Sequence, residues 1–550
     1  MDKLIIITAF VFFQVSAQLQ PSSFSVSEFS GEWDERAAAH LLRRTLLGPT
    51  YGQIQDAVDN GLTDTVDTLF EGATDFSSTP LAYDSSEGVA LFLQSWVTTV
   101  YPVSDQGTTH NARRRSLRGW LAQEFMNTNH SLADKMLLFW INHFGCSESV
   151  DARITYDYFL TLRQYALGNV KDLVSAITIH PHMLEFLNGE DNIGSAPNDN
   201  YSRECKELFT IGKGDQIGEG DYSTYTEQDV SAGAKIFSGW TIDGKRSSTI
   251  ARPTAVFVPD RHNTEDKELS YHFDNVVVQN ADEQEYQNYI DIIFARPGIG
   301  LFLSREIYRF FVGEVTDNVE TYVIPEMNQV FIDSGFEIEP VLRLLFSSEH
   351  FYDSALRGSL IKSPIDFVYS IYNSTHSSLD FSQVEVNYAI GRTIFESMSN
   401  MDMDLMNVPA VAGWEAYYLE PNYSRLWMNS VYLQSRVDFV EDYVDGNRLS
   451  NSGNIFHPSV IDTVAEFSDP ANATELINDW CLVLFPREVS ESDKIFLKSI
   501  LTDDLPDFEW AIEYETYLAD TTDMNQEFLI EERLRKVLSA ASVLLNFYTF

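Results

Sequence analysis

Along most of the chain, apolar residues recur every three to four positions, and Gly, Pro and short polar clusters interrupt them. That spacing lets an α-helix bury one face and leave the other in water. Ala37, His40, Leu41 and Arg44 share a face in residues 35–47, where Gly48-Pro49 stops the segment. Residues 50–60 and 62–70 read as two short helices parted by Gly61. Residues 117–126 and 132–144 form a helical pair across the polar turn 127–130, and Ser131 with Asp134 three residues later predicts a cap on the second. Further helices are predicted over 154–167, 170–177, 201–211 and 227–238. Thr226 with Asp229 caps the last of these and Gly239 ends it.

Between residues 241 and 279 the period changes. The runs 255–258 and 275–278 are short, β-rich and bounded by polar turns, which predicts a small β-hairpin insert. Helical spacing resumes at 284–294, 299–312, 339–347, 364–372 and 525–547. There is no internal repeat or low-complexity tract. The pattern predicts a mainly α protein, a multi-helix body either undivided or in two lobes.

The first residues break this pattern in another way. One cation, Lys3, precedes an apolar stretch from Leu4 to Phe13, and Val15-Ser16-Ala17 stands before Gln18. This is the layout of a secretory signal peptide with its cut after Ala17. The apolar run falls short of the roughly 20 residues that a spanning helix needs, and no later uncharged stretch approaches that length. The expectation is a secreted or periplasmic protein with no membrane span. Residues 1–17 are the signal peptide, the Ser-rich residues 18–32 a flexible linker, and residues 33–550 one continuous helical domain.

Charge narrows the partners. Against 37 Lys and Arg stand 82 Asp and Glu, a formal net charge of −45, which excludes a general nucleic-acid binder because such proteins need a basic face. A hydrophobic fraction of 44% with 37 Phe, 26 Tyr and 9 Trp supplies a packed core despite the charge. Cys146, Cys205 and Cys481 permit at most one internal bridge, so this is no disulfide scaffold. Cys146 and Cys205 lie beside the motifs below and are the first pair to test.

Two familiar catalytic signatures, His-Glu-x-x-His and Gly-x-Ser-x-Gly, are absent from the sequence. Two glycine-rich stretches only imitate phosphate loops. Arg246 follows Gly244-Lys245 where a hydroxyl is required, and Glu219 and Asp221 follow Gly212 to Gly218 and would repel a pyrophosphate. The informative constellation is elsewhere. Met136, Phe139, Trp140 and His143 share one helical face, so His143 points into the core or into a cavity within it. On the helix over 201–211, Tyr201, Cys205, Leu208 and Phe209 form an apolar stripe. Asn200, Glu204 and Glu207 cluster at its edge, and Arg203 can pair with Glu207 at i, i+4. Such a set either binds a cation, divides acid and base roles, or forms a structural ion-pair network. Trp240 leads into the insert, and Phe257, His262, Asn263 and Lys267 lie on or after it, as substrate contacts or as a solvated loop.

Several ordered motifs resemble the large bacterial family known as domain of unknown function 1800. They include Ala38-Ala39-His40-Leu41-Leu42-Arg43-Arg44, Lys135-Met136 through Phe139-Trp140-Ile141-Asn142-His143-Phe144, and Asn198-Asp199-Asn200-Tyr201-Ser202-Arg203-Glu204 through Gly212. Tyr225-Thr226 to Asp229-Val230 with Gly239-Trp240, His262 to Lys267, Lys362-Ser363-Pro364, Gly413-Trp414, and Trp427-Met428-Asn429-Ser430 through Arg436 complete the set. The resemblance is strongest over residues 37–440. The chain departs from it at Asp199, where the family usually has Glu, and at Asn263, where it has Asp. The resemblance implies an exported, mostly helical protein, often encoded beside a second uncharacterised secreted family, and supplies no reaction.

Together these readings lead to an expected enzyme that hydrolyses or modifies an extracellular polymer. Glu204, Glu207, His143 and Arg203 would be its catalytic group, and His143, Glu204 and Glu207 would be the ligands of one divalent metal if it uses one. Asn142, Asn198, Asn200, Trp240, His262 and Lys267 would contact substrate. The alternative is a non-catalytic secreted scaffold or binding protein with an exported protein partner.

Overall fold

The structure is a computed structural model that describes residues 20–72, 74–126, 131–376, 383–445, 450–451, 454–455 and 457–550. The expected signal peptide and the turn over 127–130 lie outside the described residues. Helices dominate, and the strands form short two-stranded antiparallel sheets. No helix among the described residues is long and apolar enough to cross a membrane.

The helix Leu132–Phe144 lies at the centre, with all 13 of its residues buried. It is apolar on nearly every side, as a helix surrounded by protein must be. Ser131 and Asp134 form the expected capping box at its start. It packs on the helices Tyr51–Phe70 and Ala152–Gln164, and the Trp140 indole donates to the carbonyl of Ala166 at 3.1 Å. Its four polar side chains each fasten a different element. Asp134 pairs with Arg163 and Lys135 with Asp366, the Asn142 Oδ1 accepts from the Trp414 amide at 3.0 Å, and His143 meets the carbonyl of Phe209 at 3.0 Å. A buried polar group costs free energy unless it is hydrogen-bonded, so these residues fix where the neighbouring segments dock.

The expected break at Gly61 is present as a kink with φ 83° inside the helix Tyr51–Phe70. The helix predicted over 117–126 begins earlier, as Gln106–Phe125. It crosses Val384–Asn400 closely, because a Cβ on Gly119 would stand 2.6 Å from the Cα of Tyr388. The expected single hairpin is two. Trp240–Asp243 pairs with Thr254–Phe257, and Lys267–Glu268 pairs with Val277–Val278. Cys146, Cys205 and Cys481 are free and buried, so the suggested bridge between Cys146 and Cys205 is not formed.

Candidate functional site

The segment expected to be one α-helix over 201–211 is instead a short α-helix, Asn200–Glu204, that continues as a π-helix, Cys205–Thr210. A π turn inserts a residue into the helical ladder and often marks a functional segment. It also shifts side chains relative to a 100° progression, so the sector drawn from α periodicity does not hold beyond Cys205. The Thr210 hydroxyl caps the carbonyl of Cys205. The carbonyl of Phe209 takes the His143 bond.

Lys206 braces this turn from below. Its buried ammonium donates to the Ser202 carbonyl and hydroxyl, both at 2.8 Å, and lies 5.2 Å over the Tyr289 ring. Burial lowers its pKa to about 8. The adjacent helix Glu227–Ile236 approaches closely because residue 233 is glycine. A Cβ there would come within 2.3 Å of the Ser202 Oγ and 3.1 Å of the Lys206 Nζ. Thr226 and Asp229 cap that helix with the expected box.

On the outer side of the turn, Arg203 pairs with both oxygens of Glu227, at 2.7 and 2.8 Å, and with Asp199 at 3.0 Å. Glu207 lies 3.7 Å from Arg203 and 3.2 Å from the Lys213 ammonium, and it accepts a hydrogen bond from the Tyr225 hydroxyl. Glu204 is partly buried, with no ion-pair partner within 4 Å among the described residues. Burial, and then the charge of Glu207, raise its carboxyl above the ordinary glutamate value. Hydrogen bonding by Glu227 holds Arg203 firmly charged. The i, i+4 pairing of Arg203 with Glu207 is therefore present. Two carboxylates on one short segment lie in different surroundings, one anchored and the other disposed to keep its proton.

His143 does not join them as a third ligand. Its Nε2 faces the Phe209 carbonyl within a shell of Phe139, Trp140, Phe144 and Phe302 rings, and burial lowers its pKa to about 4. Among the described residues no three His, Cys, Asp or Glu side chains form a group that could hold a metal ion, so His143, Glu204 and Glu207 do not make the expected metal site. The imidazole is neutral and supports the π turn from behind.

The expected substrate contacts divide. Asn200 is exposed, and Asn198 is partly buried beside it. The Asn198 Oδ1 accepts from the Asn200 amide at 3.0 Å, and its own amide is held by Asn192. Asn200 begins the Glu204 helix and Asn198 stands two residues before it. Asn142, Trp240, His262 and Lys267 do not face solvent. Asn142 is bound to Trp414, and Trp240 packs against Phe257 and Tyr286. His262 reaches Glu285 at 3.0 Å and Lys267 reaches it at 2.6 Å, with all three side chains fully enclosed. The second ring nitrogen of His262 meets the Ser238 carbonyl at 2.8 Å. These groups tie the β insert to the helix Glu285–Phe294 and correct the reading of a loop that touches substrate. Glu285, Tyr225 and Lys206 escape sequence reasoning because their roles depend on partners 18 or more residues away or beneath a π turn. Only their proximity to recognisable motifs hinted at them.

The sequence profile of a family described as "Protein of unknown function (DUF1800)" matches residues 40–512. No curated protein and no solved structure matches the chain.

Proposed function

The chain belongs to the DUF1800 family, and from that premise we propose an exported enzyme that uses Glu204 and Glu207 to hydrolyse an extracellular polymer. The observation that carries this reading is the unequal pair. Glu204 lacks an ion-pair partner among the described residues and has a raised proton affinity, while Glu207 is anchored by Arg203, Lys213 and Tyr225. Unequal carboxylates are what acid–base hydrolysis requires. Glu204 donates its proton to the leaving oxygen as that bond breaks, and Glu207 takes a proton from the water whose oxygen forms the new bond. Asn200, exposed at the start of the helix that carries Glu204, and Asn198 before it are the proposed contacts to the polymer. Export rests on the sequence of residues 1–17.

The test is turnover of a panel of chromogenic esters and glycosides by the mature protein. Glu204→Gln lowers turnover by about 100-fold or more, with an unchanged unfolding midpoint. Equal turnover in the variant, or a loss matched by loss of fold, contradicts the assignment. A second reading, a non-catalytic secreted scaffold or binding protein, draws on the buried and paired state of Asn142, His143, His262 and Lys267. A wild type inert on the whole panel favours it.

A further inference from the structure

Far from Glu204 in sequence, the protein buries an excess of positive charge. Arg43 and Arg44 come from the helix Glu35–Thr45, Lys135 from the central helix, Lys362 from the turn before the helix Pro364–Ser374, and Arg436 from the helix Ser430–Asp445. Each is at most 6% exposed. Among the described residues one carboxylate, Asp366, faces this group, and it is already engaged by Lys135 and by the Ser363 hydroxyl at 2.7 Å. Among the described residues Lys362 has no carboxylate within ion-pair reach, and its ammonium lies 5.4 Å over the Phe547 ring.

Protein carbonyls satisfy part of this group. Arg44 donates to Leu356 at 2.7 Å, Arg43 to Val483 at 3.2 Å, and Arg436 to Lys362 at 2.8 Å. Among the described residues the Arg43 Nη1, the Arg44 Nε, and the Arg436 Nε and Nη1 are buried with no hydrogen-bond partner. Buried cations without counter-charges are strongly unfavourable. In a chain with so few cations, placing five of them together in its interior calls for a physical reason.

A small pocket among these side chains supplies one. Arg43, Lys362, Asp366, Gly48, Ser370 and Phe550 are among its lining residues. We propose that this pocket binds a small tetrahedral oxyanion, phosphate or sulfate, either as the free ion or as an ester group on a polymer. The anion sits between the Arg43 guanidinium, which has an unused N–H, and the Lys362 ammonium. Both form charge-assisted hydrogen bonds to such oxygens. Asp366 keeps Lys135 to its own side. Burial and then the charge of Arg43 lower the Lys362 pKa to about 7, and an anion bound beside it would raise it again. The negative charge over the rest of the surface does not forbid entry, because screening at physiological salt limits its reach to about 8 Å. This site is separate from the Glu204 pair and stands or falls independently of it.

The test is isothermal titration of the full mature chain with sodium sulfate and with sodium phosphate, in chloride buffer at matched ionic strength and near neutral pH. Wild type gives a saturable heat, and Lys362→Met weakens binding by about tenfold or more. Because that variant removes an unpaired buried charge, it stays folded in chloride, while its unfolding midpoint gains less from sulfate than the wild type's does. Arg43→Met provides the same comparison from the other side of the pocket. Displacement of bound phosphate by a sulfated oligosaccharide, but not by its desulfated form, assigns the ester source. Displacement by sulfate alone assigns the free ion. No saturable heat with either ion, or equal binding by wild type and both variants, overturns the proposal.

Discussion

The His143 Nε2 donates to the carbonyl oxygen of Phe209 at 3.0 Å, and through that bond the central helix supports the π turn that carries Glu207. A carbonyl accepts only, so this nitrogen carries a proton, and burial, which lowers the ring's pKa to about 4, favours its neutral form. Removing the donor leaves a buried carbonyl unsatisfied. His143→Leu should cost about 1–3 kcal/mol, measured by urea unfolding, and His143→Gln should recover part of it.

Burial of the same ring gives stability a pH dependence. In the folded protein the His143 pKa is depressed to about 4 by burial, against an ordinary value of 6.5. His110 is also held at about 4, and His182 at about 3. Between those values and 6.5 the unfolded state binds more protons, so stability is present above about pH 6.5 and is lost as the pH falls toward 4. Urea midpoints at pH 7, 5.5 and 4.5 should fall in that order. The fall should be shallower in His143→Leu, which lacks one of the groups forced to stay neutral.

Glu285 is the counter-charge of a closed group with His262 and Lys267. Glu285→Gln strands the Lys267 ammonium without a carboxylate and should cost about 3–5 kcal/mol. Glu285→Gln with Lys267→Met should cost less than the single change, because the second substitution removes the stranded charge. A double-mutant cycle by chemical denaturation measures this coupling.

Gly233 sets the distance between the two helices that meet through Arg203 and Glu227. Ala at this position would push against the Ser202 Oγ and the Lys206 Nζ. Gly233→Ala should destabilise by about 1–3 kcal/mol, the usual cost of overpacking. It should also disturb the Arg203–Glu227 pair, which lies on those helices. Calorimetry reads the first effect and an Arg Nε–Hε NMR spectrum the second.

What can be read from the sequence follows how far each interaction reaches. The caps at Ser131–Asp134 and Thr226–Asp229 and the break at Gly61 are local, and all three are present as expected. The first half of Gln106–Phe125 was hidden because its polar residues find distant partners. Arg113, for example, is buried against Glu87, 26 residues earlier. The π turn at Cys205–Thr210 leaves the apolar spacing nearly unchanged, so periodicity reports an α-helix there. The pairing of Arg203 with Glu207 follows from i, i+4 spacing, whereas the clamp on His262 and Lys267 depends on Glu285 from a separate helix. For His143, helical phase correctly placed the ring inside, but phase alone could not tell a carbonyl partner from a metal.

Beside Glu207 the Glu204 carboxyl has a raised proton affinity, and a carboxyl ¹³C NMR titration of the mature protein tests this directly, with Glu204→Gln assigning the resonance. Glu204 should titrate above the ordinary glutamate value, and Glu207→Gln should move it downward by removing the neighbouring charge. A Glu204 midpoint at or below the ordinary value, unmoved by Glu207→Gln, would contradict the account.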